Sequence, residues 1–348
     1  MQAEMLEKGF TGATVIDGGV TFKGHWTGVW RANLELRGAS RVLARIGGFR
    51  VFKLQALDRL AREFPWTETL RTDMATKVEV TCKKSKIYHA GAAKERIENG
   101  LRANGIPLSD DADIVLKVRI ENDYCQISVD TSGEALHRRG FKEAVGKAPM
   151  RENLAALFLR ACRYDGSEPV LDPMCGSGTF PIEAAEIALG LKPGRAREFA
   201  FQRLATYQPD RWAGMLGGMA SDSALPFFGS DRDTGAIQNA IANAQRAGVH
   251  HVVQFDHRPI SELQRPDGKP GLVILNPPYG ARIGNKKPLF ALYGTLGQVM
   301  RERFRGWRVG IVTTDAGLAK ATGLPFKPSD ATYAHGGLRV RLFQTDTL

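Results

Sequence analysis

The chain has 348 residues, 43% of them hydrophobic, which is long for one domain, leaves material for more than one packed core and excludes intrinsic disorder. Its 48 Lys and Arg against 37 Asp and Glu leave a net charge of +11, which favours an anionic partner such as nucleic acid, although a solvated basic surface gives the same balance. Cys82, Cys125, Cys162 and Cys175 form no C-x-x-C pair, no stretch approaches the ~18 apolar residues needed to span a bilayer, and the first residues lack a signal pattern. A zinc knuckle, a disulfide framework and a membrane span are therefore excluded, and a soluble cytoplasmic protein with no obligate protein partner is expected.

Residues 1 to about 60 mix short β-like runs (Ala13 to Ile16, Arg41 to Ile46) with a helical pattern at Leu54, Leu57, Leu60 and Ala61, as in a small α/β unit. A second, α+β unit follows: a strand at 78 to 82, a basic helical run through residue 102, and alternating strands at 114 to 123 and 125 to 130. Lys83, Lys84 and Lys86, and further on Arg138 and Arg139, are candidate phosphate contacts, although such clusters are often only solvated. Residues 137 to 163 carry seven basic side chains, Lys147 among them, against Glu143 and Glu152, and read as a basic connector.

Beyond Pro169 strands and helices alternate, which predicts a mostly parallel, doubly wound sheet. The first strand runs into Leu171-Asp172-Pro173-Met174-Cys175-Gly176-Ser177-Gly178-Thr179-Phe180 and then into an apolar-faced helix, so these glycines lie at a strand-to-helix turn where ligands bind. A bare tight turn is one reading. A dinucleotide fingerprint is another, but its third glycine is replaced by Pro181, and the Gly-Lys-Ser/Thr of a Walker loop is absent. A loop fitted to the methionine part of S-adenosylmethionine remains, with Asp172 toward the ammonium. After an insertion at roughly 193 to 225, a strand ends in Asp231-Arg232-Asp233, where Asp231 can accept both ribose hydroxyls or simply be solvated beside an Asp233 helix cap. The next strand ends in Asp256-His257, where Asp256 suits the adenine amine or is an ordinary loop aspartate.

The following strand, Gly271 to Asn276, opens into Asn276-Pro277-Pro278-Tyr279. An aromatic amine is a poor nucleophile because its lone pair is delocalised into the ring. Two acceptors, the Asn276 side-chain oxygen and the Pro277 carbonyl, can bias it toward tetrahedral geometry, and Tyr279 can stack on an extruded base. The alternative is a proline-rich turn after a buried strand. The histidines show no metal-ligand spacing.

With these motifs, and with the stretch 128 to 156 that joins the second unit to the third, the chain resembles the THUMP-domain class I RNA methyltransferases. It is most similar to those related to the N-terminal half of the bacterial 23S rRNA guanine-N2 methyltransferase. The resemblance implies a ferredoxin-like unit at 1–60, a THUMP domain at 61–135 that grips structured RNA, a basic linker at 136–165 and a Rossmann-like seven-stranded class I methyltransferase domain at 166–348. It implies S-adenosylmethionine held around Asp172, Met174, Cys175, Gly176, Ser177, Gly178, Thr179, Asp231, Arg232, Asp256 and His257, with Pro149 and Met150 lining the pocket. Asn276, Pro277 and Tyr279 then meet a guanosine N2, in 23S rRNA or a ribosomal assembly intermediate. Because the chain carries one methyltransferase unit, only the N2 activity is carried over. Shorter members act on tRNA; a DNA adenine-N6 methyltransferase and a noncatalytic RNA-binding assembly factor are the further rivals.

Overall fold

A computed structural model describes residues 1–143, 150–217, 225–279, 287–328, 331–335 and 337–348. Pro149, named above as a donor contact, and Lys147 lie outside the described residues. The chain divides into two compact units, Met1–Leu136 with Gly194–Gly218, and His137–Pro193 with Met219–Leu348.

In the first unit, α1 (Gln2–Glu7), the hairpin β1 (Thr14–Ile16) and β2 (Gly19–Thr21), and α2 (Trp26–Glu35) precede β3 (Leu43–Arg50) and α3 (Leu54–Glu63). Then come β4 (Thr76–Lys83), α4 (Ala90–Ala103), β5 (Ile114–Glu121) and β6 (Tyr124–Asp130). The order β3-β6-β5-β4 gives a four-stranded sheet that is antiparallel except for β4 and β5. Ile114, Leu116, Val118 and Ile120 of β5 are all buried, the period-2 alternation of a half-buried strand. A boundary drawn between residues 60 and 61 falls inside α3, and β3 belongs to the sheet of β4 to β6.

The second unit opens with α5 (Glu152–Ala161), β7 (Val170–Asp172) and α6 (Thr179–Ala188). The chain then returns to the first unit with α7 (Pro209–Leu216), where Phe199, Phe201 and Trp212 join the aromatic core of Trp30. It resumes the second with β8 (Phe227–Asp231), α8 (Thr234–Ala247), β9 (Val253–His257), β10 (Leu272–Leu275), α9 (Lys287–Arg303), β11 (Arg308–Thr313), α10 (Ala316–Ala321), β12 (Thr332–His335) and β13 (Leu338–Gln344).

These strands form a seven-stranded sheet in the order β12-β13-β11-β10-β7-β8-β9, with β13 antiparallel to both neighbours and the other pairs parallel. The β10 residues Leu272, Val273, Ile274 and Leu275 are all buried, as a central parallel strand covered on both faces requires. Strand order reverses between β7 and β10, so the loops after these two strands flank the switch point where open α/β sheets bind ligands. Among the described residues no helix is long and apolar enough to cross a membrane.

Candidate methyl-transfer site

Asp172 ends β7 at 2% exposure, and its carboxylate accepts the Met174 N–H at 3.0 Å. Burial holds its carboxyl well above the usual range, and nearby Asp231 adds to the shift. A carboxyl in that state is relieved by a cation, which is what an amino-acid ammonium supplies. The turn then climbs through Gly176 and Gly178, both at positive φ, and Gly178 caps α6 at φ +81°. A Cβ on Gly178 would stand 2.9 Å from the Phe255 ring and 3.1 Å from Ala240, so the site needs glycine for space as well as for φ.

Asp231, at the end of β8, is more than a solvated carboxylate. One oxygen accepts the Gly176 N–H and the other the Asp233 N–H, both at 3.0 Å, which ties the donor loop to the neighbouring strand. Asp233 is the N-cap of α8, accepting Gly235 and Ala236 N–H groups at 2.8 and 3.2 Å. Cys175 is buried, and burial above all raises its thiol well beyond the ordinary range, so it is no ready nucleophile. Arg232, Asp256 and His257 stand exposed at the same edge; His257 Nε2 lies 2.9 Å from the Arg232 carbonyl, and Arg258 lies 3.9 Å from Asp256.

Groups from distant positions support the loop from behind. Asn243 of α8, fully buried, donates to the Ser177 carbonyl at 3.0 Å and accepts from Arg246, which also reaches the Phe141 carbonyl at 2.7 Å. Lys142 donates to the Met150 carbonyl at 2.7 Å and the Thr179 hydroxyl at 2.9 Å, and pairs with Glu152 at 3.3 Å. Met150 itself is buried in the apolar cluster of this unit. Phe141, Lys142, Glu152, Ser177, Thr179 and Asn243 line a small cavity together with Ile182 and Glu183. The only signal for Lys142 was its place in the basic run.

Arg139 is a correction. At 2% exposure it is buried and paired at 3.3 Å with Glu183, itself 1% exposed, so it cannot meet a phosphate at the surface. Arg138 is exposed. In the first unit Lys83, Lys84 and Lys86 are exposed, and the Lys86 ammonium lies 5.0 Å from the Phe52 ring centroid. Phe52, Tyr124 and Tyr88, the last at 84% exposure, are exposed aromatics of the same unit, a component the charge pattern alone did not reveal.

After β10 the chain enters Asn276. Its side-chain oxygen is buried and has no hydrogen-bond partner among the described residues. A buried acceptor left unsatisfied costs about 1–3 kcal/mol, which a ligand N–H recovers. Tyr279, half-buried, packs against both apolar clusters of the unit, and burial raises its phenol. Beneath it, buried Tyr293 donates to the Pro278 carbonyl at 3.4 Å. The site thus has a cradle with a buried carboxyl at one strand end and an unfilled acceptor with an aromatic wall at the adjacent one.

Comparison with known proteins identifies the family. Residues 139–334 match the family described as RMKL-like, methyltransferase domain, and residues 1–43 match the RlmL ferredoxin-like domain, ending where β3 begins. A Synechocystis sp. protein provisionally named an RNA methyltransferase is 32% identical over 88% of this chain and 83% of its own. The ribosomal RNA large subunit methyltransferase K/L of Vibrio campbellii is 32% identical over 89% of this chain, which spans about half of that relative, 46% of its length. Among solved structures, a Listeria monocytogenes protein described as a "predicted N6-adenine-specific DNA methylase" superimposes with a TM-score of 0.86 at 28% identity, covering 100% of this chain and 92% of its own. SMU.472, crystallised with S-adenosylhomocysteine, gives 0.85 at 26% identity, covering 99% and 94%. The chain therefore belongs to the RMKL-like methyltransferase family, a class I fold behind a ferredoxin-like domain, with S-adenosylmethionine as methyl donor.

Proposed function

We propose that the protein methylates the exocyclic N2 of a guanosine in RNA, with 23S ribosomal RNA as the substrate. The observation that carries this reading is the buried, unpartnered Asn276 oxygen, an acceptor for an amine N–H at the strand end adjacent to the donor loop. Asp172 takes the donor's ammonium side, the Gly176–Gly178 turn its carboxylate, Asp231 its ribose and Asp256 its adenine. The donor supplies an electrophilic methyl on a sulfonium. Asn276 and the Pro277 carbonyl hold both amine hydrogens and free the nitrogen lone pair. Tyr279 stacks on the base, fixing the approach in line with the bond that breaks. The nitrogen forms the new N–C bond, the sulfur keeps the electron pair of the old one, and the surplus amine proton leaves to solvent.

Three further features support RNA as the substrate. Two relatives carry RNA or ribosomal RNA methyltransferase in their names. The β3-to-β6 sheet with α3 and α4 is read as a THUMP domain. Its exposed Lys83, Lys84 and Lys86, with Phe52 against Lys86 and with exposed Tyr88 and Tyr124 in the same unit, supply cations and stacking faces. The name of the Listeria structure keeps adenine N6 as the second reading, since Asn276 and Tyr279 suit either amine. Purified protein with labelled S-adenosylmethionine is offered 23S rRNA and tRNA separately, and the labelled nucleoside is identified by mass. N2-methylguanosine in rRNA is expected; label in tRNA changes the substrate, and N6-methyladenosine sinks the assignment of the base.

A further inference from the structure

We propose that Arg339 and Arg341, on the outer face of the β12–β13 hairpin, hold the RNA phosphates flanking the target nucleotide. The inference rests on the RNA reading above and concerns a different part of the molecule from the lysine surface of the first unit.

Register places the hairpin at the reacting edge. Strand β13 pairs with β11, and Thr313 at the carboxyl end of β11 lies opposite Arg341. The three residues before Arg341 in β13, Leu338 to Val340, therefore run on past that edge, by about 10 Å at ~3.4 Å per residue. Strand β11 lies beside β10, which ends just before Asn276. Two strand spacings of ~4.8 Å put the Arg341 backbone about 10 Å to the side of that strand end. A base turned out of its stack into the Asn276 pocket brings its own two phosphates over the same edge.

Alternation decides which side chains are presented. Val340 and Leu342 are buried in the apolar core of the unit, and Tyr333 meets the Phe158 ring of α5 at 5.0 Å. Arg339 and Arg341 occupy the opposite face, across from Ala334 and Thr332. Thr332, Ala334 and Arg339 are exposed, and Arg341 is partly so. Among the described residues neither arginine has a carboxylate partner, and the one contact is Arg339 to the Thr332 hydroxyl at 3.4 Å. Elsewhere in the unit Arg139 and Arg308 each have a glutamate. Protection of an open sheet edge does not account for these cations, because β12 is the edge strand and both arginines sit on the strand inside it. Two guanidinium forks two residues apart on a strand suit successive phosphate oxygens, which they can bind bidentately.

The test uses the full chain and an RNA substrate that the wild type methylates. Arg339→Ala and Arg341→Ala are each expected to raise the KM for RNA about 10-fold while leaving kcat at saturating RNA and donor affinity unchanged. Each is also expected to lower the slope of log KM against log salt by about 1, whereas Arg341→Lys keeps the slope. Arg305→Ala removes the same charge from an exposed position just ahead of β11, at the amino edge of the sheet, and is the control. Variants indistinguishable from Arg305→Ala overturn the proposal, as does a loss confined to kcat or donor affinity. A wild type that binds no RNA at any salt brings down the RNA reading as well.

Discussion

Lys142 offers the sharpest test of how the donor loop is held. Its ammonium has three donors and meets three acceptors, the Met150 carbonyl, the Thr179 hydroxyl and Glu152, with the lysine and glutamate side chains 9% and 6% exposed. Lys142→Met keeps most of the stem volume and removes the charge. It strands Glu152 in a site whose burial already raises its carboxyl, with Lys142 as the strongest opposing influence. Breaking a buried pair from one side costs about 3–5 kcal/mol, because the remaining charge is uncompensated. The sign of the pH dependence follows. A carboxyl whose folded pKa lies above its unfolded value binds extra protons when native, so stability is lost as pH rises from about 4.5 through the folded pKa. The variant should therefore be unfolded by urea most easily near pH 8 and recover part of its midpoint near pH 5. Lys142→Met with Glu152→Gln removes both charges and should regain most of the loss. Circular dichroism during urea titration reads all three chains. Equal losses at both pH values, or a double variant no more stable than the single, would refute the assignment of the cost to an unpaired Glu152.

Three other outcomes are expected. Asn276→Ala should lower single-turnover methyl transfer by about 10²–10³, the usual loss of one positioned transition-state partner, with donor affinity within about twofold of wild type; full turnover sinks its role. Donor affinity, measured calorimetrically, should rise with pH through the raised pKa of Asp172 and level off above it, because the carboxyl must lose its proton to meet an ammonium. Asp172→Asn should bind weakly and flatten that dependence, and a flat wild-type profile would rule the contact out. Gly297→Ala gains about 1 kcal/mol of helix propensity in α9. Its Cβ would stand 1.8 Å from the Thr322 carbonyl, just beyond α10. The backbone must move, so a net loss of about 1–3 kcal/mol is expected in urea unfolding, and a more stable variant would contradict the close packing of the two helices.

The elements legible in the sequence are those whose signal is local. Strand β10 announces itself as a continuous apolar run because both faces are covered, and β5 by alternation because one is not. The hairpin partner β2 and the edge strand β12 went unread. Each has three or four residues, too few for a period, and β12 is half exposed. The insertion shows why composition does not place a segment. Phe199, Phe201 and Trp212 plainly needed a core, yet only the fold reveals that it is the one around Trp30 in the other unit.

The site divides in the same way. Its proposed reacting parts are contiguous backbone devices, a turn of glycines after β7 and Asn276-Pro277-Pro278-Tyr279 after β10, so a few adjacent letters carry them. The groups that hold those devices come from distant positions. Asn243 steadies Ser177 from α8, Lys142 reaches Thr179 from the connector, and Arg139 finds Glu183 across 44 positions of sequence. A basic run cannot disclose which of its members will meet a buried glutamate. Arg138 and Arg139 are neighbours with the same side chain, and one lies exposed while the other lies inside. Charge sequence therefore predicts the sign of a surface but not its membership, which pairing across the fold decides. By that criterion Arg339, exposed on its strand, and Arg341, partly so, neither with a carboxylate among the described residues, have the stronger claim on RNA phosphate.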